Sequence, residues 1–143
     1  MAEEQVIDSP RGWVADHIRE YTETEGEKGH LWRGVTTLLL TTRGRKSGQL
    51  RRTALIYGRD GDKVMVVASR GGAKTHPLWY QNLVADPDVR VQVGADKFSA
   101  RARTASPDEK RRLWPIMTAI WPAYDEYQTR TDREIPVVIL ERV

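Results

Sequence analysis

The chain has 143 residues, 39% of them hydrophobic and 30% charged, with a net charge of +3 and a pI near 9.3. That length suits one domain with its own core, and the mild basic excess suits an anionic ligand, a nucleic acid or an acidic membrane surface without choosing among them. No cysteine is present, which excludes disulfides, thiolate catalysis, iron–sulfur clusters and cysteine-type zinc sites.

The first six residues, Met1-Ala2-Glu3-Glu4-Gln5-Val6, have neither a basic nor an apolar leader region. No apolar run approaches bilayer length, so the cytoplasm is the expected location. Ser9-Pro10 predicts the opening of a helix with Trp13, Val14, Ile18 and Tyr21 on one side and Asp16, Arg19 and Glu20 on the other. A polar stretch over 22–29 ends it. Residues 35–42 are β-branched and apolar without alternation, the pattern of a strand buried on both faces. Residues 51–57 read as the return strand. Asp60-Gly61 predicts a tight hairpin into a third strand over 63–69, so that the three form a meander.

After Arg70-Gly71-Gly72 the pattern predicts a short helix with Pro77 in its first turn and Leu78, Trp79, Asn82 and Leu83 at helical spacing, stopped by Asp86-Pro87. Residues 89–93 and 98–102 alternate as half-exposed strands. Ser106-Pro107-Asp108-Glu109 is a capping box opening a helix through Leu113, Trp114 and Met117. Pro115 predicts a break or kink in that helix, and Pro122 its end. Residues 135–140 close the chain as a strand. Six strands, mostly hairpin-connected, with three short helices predict a mainly β (α+β) fold, a small antiparallel barrel and not a doubly wound sheet.

The most informative stretch is Arg43-Gly44-Arg45-Lys46-Ser47-Gly48-Gln49-Leu50-Arg51-Arg52, with five cations, a hydroxyl and two glycines between two apolar segments. No acidic residue occurs between Glu27 and Asp60. Backbone N–H groups freed by glycine, beside guanidinium and ammonium groups, suit a cluster of phosphates or carboxylates. A second constellation runs from Val67-Ala68-Ser69-Arg70-Gly71-Gly72 to Pro77-Leu78-Trp79-Tyr80-Gln81-Asn82, a strand feeding a helix through small residues. Either a ligand wall or ordinary core accounts for Trp79 and Tyr80. A third, Trp121-Pro122-Ala123-Tyr124-Asp125-Glu126-Tyr127, spaces its aromatics three apart, which fits a pocket lining or a core-facing stripe. His17, His30 and His76 are scattered without metal-ligand spacing and read as surface or helix-end residues. No serine nucleophile arrangement is visible, so any catalysis is expected to borrow its chemistry from a cofactor.

In this order the three stretches resemble the deazaflavin-dependent nitroreductase family, split-barrel oxidoreductases that use coenzyme F420. Leu39-Leu40-Thr41-Thr42, Gly44 to Gln49, Val66 to Ala73, Pro77 to Leu83, and Thr131-Asp132-Arg133 before Ile135-Pro136 carry the resemblance. It implies a six-stranded antiparallel split β-barrel of flavin-reductase/FMN-binding type over 34–143, with 1–33 a separate N-terminal helical segment. It implies that Arg45, Lys46 and Ser47 hold the cofactor's phosphate and polyglutamate tail, while Arg51, Arg52, Thr53, Ala54, Leu55 and Ile56 run along it. Val67, Ala68, Ser69, Arg70, Leu78, Trp79, Tyr80, Gln81, Asn82 and Tyr124 would wall the ring, with Ser69, Trp121, Tyr124 and Tyr127 toward the substrate.

The implied reaction is hydride transfer from the reduced deazaflavin to a small electron-poor acceptor such as a quinone, nitroimidazole or activated enone. Ala54 stands where the family pattern has proline, Ile56 replaces an aromatic, and Trp121 stands where similar members carry tyrosine; these departures bear on substrate preference. The rival readings are the same barrel binding FMN, and a non-catalytic basic barrel on nucleic acid, against which the cations cluster at one turn instead of tracking a groove. A cofactor carrier without turnover is a further alternative. For the first helix, contact with the inner face of the cell membrane stands beside core packing or substrate gating, and a homodimer completes the expectations.

Overall fold

The computed structural model describes residues 5–10 and 12–143. The leader reading over Met1 to Glu4 therefore lies outside the described residues. In chain order the elements are β1 (Val6–Asp8), α1 (Gly12–Glu23), β2 (Leu31–Trp32), β3 (Val35–Arg43), β4 (Leu50–Ile56), β5 (Gly58–Asp60), β6 (Lys63–Val67), a 3₁₀ turn (Arg70–Gly72), α2 (Leu78–Ala85), β7 (Asp88–Val93), β8 (Asp96–Thr104), α3 (Pro107–Ile120), α4 (Ala123–Thr129) and β9 (Val137–Arg142).

All six expected strands are present, and three more join them. β1, β2 and β5 are two or three residues long, too short for a periodicity to register. The hydrogen-bonded order is β1-β4-β3-β7-β8-β9-β6-β5, with β2 on β3. The fold is thus mainly β with short helices, but among the described residues the sheet has nine strands and does not close into the expected six-stranded antiparallel barrel. β1 is also parallel to β4. The expected meander is absent as well, because β6 pairs with β5 and β9 and not with β4. β4 and β6 approach each other without a ladder between them. That unpaired seam proves central to the site.

Alternation along the strands divides the core into layers. Leu38 and Leu40 of β3, Val64 and Val66 of β6, Val89 and Val91 of β7, and Val138 and Leu140 of β9 turn to the concave side of the curled sheet. Met65, Val67, Val137 and Ile139 turn outward and are covered by Leu113 and Met117 of α3 and Tyr124 of α4. Leu39 also turns outward, under Val14, Ile18 and Tyr21 of α1. Both faces of β3 are consequently buried, which explains its unbroken apolar run. Of the four apolar residues expected on one side of α1, three pack inward and Trp13 is 60% exposed.

The Ser106 capping box forms as expected: Glu109 N–H donates to Ser106 Oγ at 3.2 Å, and Ser106 N–H to Glu109 Oε1 at 2.9 Å. The expected break at Pro115 does not occur. α3 runs continuously through it, with Pro115 and Arg111 both exposed, so the carbonyl that proline leaves unbonded faces water.

Candidate functional site

A cavity of about 940 Å³ opens where β4 and β6 fail to pair, at the upper end of the size of small-molecule sites, about 300–1,000 Å³. Residues 51–56 of β4 form its floor from end to end. At roughly 3.3 Å per residue, that floor is about 17 Å long. The cationic turn lies at one end, and α1, β2 and the α3–α4 junction close the other.

The turn between β3 and β4 is held by its own backbone. Gly44 N–H donates to Gln49 O at 2.7 Å and Gly48 N–H to Gly44 O at 2.8 Å, with Gly48 at φ 72°. A Cβ on Gly44 would sit 2.7 Å from Ser47 Oγ and 3.2 Å from Gln49 O, so a larger residue there displaces the Ser47 hydroxyl. α2 fixes the turn from outside. Arg45 N–H donates to Asn82 Oδ1 at 3.1 Å, Asn82 Nδ2 to Thr42 Oγ1 at 3.2 Å, and the Arg45 guanidinium to Gln81 Oε1 at 2.7 Å. Lys46 and Arg51 are exposed and have no acidic partner among the described residues. Arg52 differs. Its guanidinium donates to both oxygens of Asp8 on β1, at 2.6 and 3.2 Å. Among the described residues, the charged ones lining the cavity are Arg45, Lys46, Arg51, Arg52, Arg70 and one acid, Asp8.

The loop after β6 forms one wall of the other half. Arg70, Gly71 and Gly72 all have positive φ, at 46°, 62° and 82°. A Cβ on Gly72 would lie 2.6 Å from Tyr127 O, so only glycine lets this loop press against α4. Arg133 holds the loop from behind, donating to Ala73 O at 2.8 Å, Ala68 O at 3.2 Å, Ser69 O at 2.6 Å and meeting His76 Nδ1 at 3.0 Å. Burial, then the adjacent Arg133 charge, lowers the His76 pKa, keeping that ring neutral and able to accept.

Ser69, Trp121, Tyr124 and Tyr127 all reach the cavity. Neither Ser69 Oγ nor the Tyr124 hydroxyl has a hydrogen-bond partner among the described residues, and neither is sealed from solvent. Both are therefore open to a ligand. Trp121 Nε1–H meets the Tyr127 oxygen at 3.4 Å, leaving the Tyr127 proton for another acceptor. Burial, and secondarily Tyr127, pushes the Tyr124 phenol well above its ordinary range, so it stays protonated across physiological pH.

Most residues expected at the site line this one cavity: Arg45, Lys46, Ser47, residues 51–56, Val67, Ser69, Arg70, Leu78, Trp79, Asn82, Trp121, Tyr124 and Tyr127. Ala68, Tyr80 and Gln81 do not. Ala68 is fully buried in the core. On α2, Leu78, Trp79 and Asn82 share the cavity side, which turns Tyr80 and Gln81 away. Tyr80 packs on His76 and bonds Thr104 Oγ1 at 2.8 Å, and Gln81 acts through Arg45.

Sequence reasoning missed Trp13, Trp32, His17, Thr37 and Asp8, all of which line the cavity. His17, expected at the surface, meets Thr37 Oγ1 at 3.3 Å, and burial lowers its pKa. His30 lies between the hydroxyls of Tyr21 and Tyr57 at 3.3 and 3.4 Å. Only the helical spacing of Trp13 and His17 on one side of α1 could have signalled these residues.

Exposed cations at one end and open hydroxyls among aromatic rings at the other are the kinds of groups an oxidoreductase would need around a planar cofactor with an anionic tail. The chain belongs to the F420H(2)-dependent quinone reductase family, whose model matches residues 13–142. It is 44% identical over 130 residues to an F420H(2)-dependent quinone reductase of Mycobacterium tuberculosis, covering 88% of this chain and 87% of the relative. A solved F420-H2 dependent reductase superposes with a TM-score of 0.68 at 42% identity, covering 73% of this chain and 93% of the other. A structure described as a domain-swapped dimer gives a TM-score of 0.71 at 39% identity, covering 89% and 98%.

Proposed function

We propose that this protein uses the seam cavity to hold reduced coenzyme F420 and an electron-poor acceptor of the quinone class together. Family and relatives make it an F420-dependent oxidoreductase. The observation that supports the assignment of ends is that the exposed cations Arg45, Lys46 and Arg51 belong to the turn that opens β4, whereas Ser69, Tyr124 and Tyr127 reach the same cavity from the loop after β6 and from α4. The residues present fit the cofactor: Lys46, Arg51 and the Arg45 guanidinium offer an anionic tail charge-assisted bonds, and Ser47 adds a hydroxyl. Arg52 contributes its stem, its charge being met by Asp8.

When bound, the reduced deazaflavin supplies the hydride. The chain's own part is positioning and charge. Val67, Trp79 and the backbone of 53–56 wall a flat ring, and Ser69 with the Tyr124 and Tyr127 hydroxyls donates hydrogen bonds to the acceptor oxygen as it gains charge. Such bonds strengthen in the transition state and so accelerate the step. The raised Tyr124 pKa keeps its proton on the phenol oxygen, available to donate.

Anaerobic mixing with reduced F420 and a soluble quinone tests the function, with cofactor oxidation followed by absorbance. Turnover that needs the protein and is not supported by reduced FMN is expected; turnover with FMN alone would overturn the cofactor assignment. The domain-swapped relative supports a homodimer for this chain too, which light scattering tests by mass. No helix among the described residues is long and apolar enough to cross a membrane. Peripheral contact would rest on the outward Trp13, and liposome co-sedimentation of wild type against Trp13→Ala tests it.

A further inference from the structure

Three indoles from distant parts of the chain meet over one end of the cavity. Trp13 lies in α1, Trp32 ends β2, and Trp121 caps the C-terminus of α3. The Trp13 and Trp32 rings are 5.6 Å apart and 14° from parallel, and the Trp32 and Trp121 rings are 5.7 Å apart at 37°. All three line the cavity. Trp13 is largely exposed and the other two are half-buried, so the pile has one side in water and one in the cavity. It is a rim, and Trp32 is the member in ring contact with both others, stacked on Trp13 and tilted against Trp121.

Backbone geometry fixes Trp32 there. Trp32 pairs with Val35 and Leu31 with Thr36, leaving Arg33 and Gly34 as a two-residue turn with φ of 49° and 81°. Left-handed geometry at both central positions is what a tight hairpin demands, and it is costly for an arginine. Such strain persists where surrounding contacts over-determine it, and it gathers at ligand clamps. Arg33 repays part of it by setting its guanidinium 4.7 Å from the Trp32 ring centroid. From Trp121 the contacts continue to Tyr127 through the indole N–H. A shift of the pile therefore also shifts a hydroxyl at the acceptor end.

We propose that Trp32 is the specificity-determining residue of the acceptor end, the middle of an indole bridge that limits how bulky an acceptor can reach Ser69, Tyr124 and Tyr127. A flat ring slides under the bridge and stacks on it. Substituents standing out of the ring plane must displace Trp32 and break both of its ring contacts. This rests on reading the aromatic end as the acceptor end.

The test compares 1,4-benzoquinone with 2,5-di-tert-butyl-1,4-benzoquinone in wild type, Trp32→Ala and Trp32→Phe, at saturating reduced F420. The ratio of kcat/KM, bulky over small, is read in each protein, so the quinones' intrinsic reactivities cancel between variants. Trp32→Ala should raise that ratio on the order of tenfold through KM for the bulky quinone, with Trp32→Phe in between. Quenching of the remaining tryptophan emission by each quinone, without cofactor, should show the bulky one gaining affinity in Trp32→Ala. A purely structural tie between α1 and the α3–α4 junction would lower the melting temperature and leave both readouts unchanged, overturning the proposal. Should Trp32→Ala not fold, Trp32→Phe and Trp13→Ala decide, and an unchanged ratio in both overturns it. If wild type oxidises reduced F420 with neither quinone, the functional reading fails, while the quenching comparison still judges Trp32.

Discussion

At the turn end of β4 the cavity is built mostly from one ten-residue stretch, whereas at the far end it is assembled from α1, β2, the loop after β6 and α4. The first grips by charge, the second by shape and by hydroxyls left without partners. Local chemistry of the first kind is set by a short sequence and tolerates change elsewhere. Assembly of the second kind depends on residues more than a hundred positions apart, such as Trp13 and Trp121, staying in register. Affinity for the cofactor and selectivity for the acceptor are therefore expected to separate under mutation.

The largest separation is expected at Tyr124. Tyr124→Phe should lower kcat about a hundredfold, the scale of removing one donor from a developing oxyanion. Cofactor affinity should stay within about twofold, because the turn is untouched; stopped-flow kinetics beside a binding titration reads both. Lys46→Ala should do the reverse. It should weaken F420 binding roughly tenfold to a hundredfold, as loss of a charge-assisted bond does, with little change in turnover at saturation. Comparable losses in both parameters for either variant would break the distinction between the two ends.

A smaller effect marks the α3 cap, remote from the turn. Ser106→Ala should cost about 1 kcal/mol, a melting-temperature shift of about 4 °C, without altering KM for either partner. The same cap sets a pH signature. The hydrogen bonds from Arg103, then the Ser106 backbone, hold Glu109 down to about 2 against an ordinary 4.5. Because the folded value is depressed, the cap's contribution is present above about pH 4.5 and lost as pH falls toward about 2. Thermal melts across that interval in wild type and Glu109→Gln should converge at the acid end. The smallest effect belongs to Asp8→Asn, which frees Arg52 and should tighten F420 binding about threefold at low salt, less at high salt.

The six long strands, the buried character of β3, the capping box and the cationic turn were legible because each is written in consecutive residues. The residues expected at the turn and along β4 line one cavity for the same reason. What stayed hidden depends on distant pairing. A three-residue β1 cannot announce itself, yet it delivers Asp8 to Arg52. Trp32 reads as an isolated aromatic until its hairpin sets it between Trp13 and Trp121. The barrel was expected to close, but β6 finds its partner in β9, 70 to 76 residues on, and the seam left beside β4 becomes the candidate site. Continuity of α3 through Pro115 was likewise unreadable, since it turns on which face of the helix meets water.

The most direct measurement is a fluorescence titration of wild type and Lys46→Ala with two ligands: intact coenzyme F420, and its deazaflavin ring with the phosphate and polyglutamate tail removed. If the turn grips the tail, the Lys46→Ala penalty is large for the intact cofactor and vanishes for the ring alone. An equal penalty with both ligands would contradict the two-ended cavity.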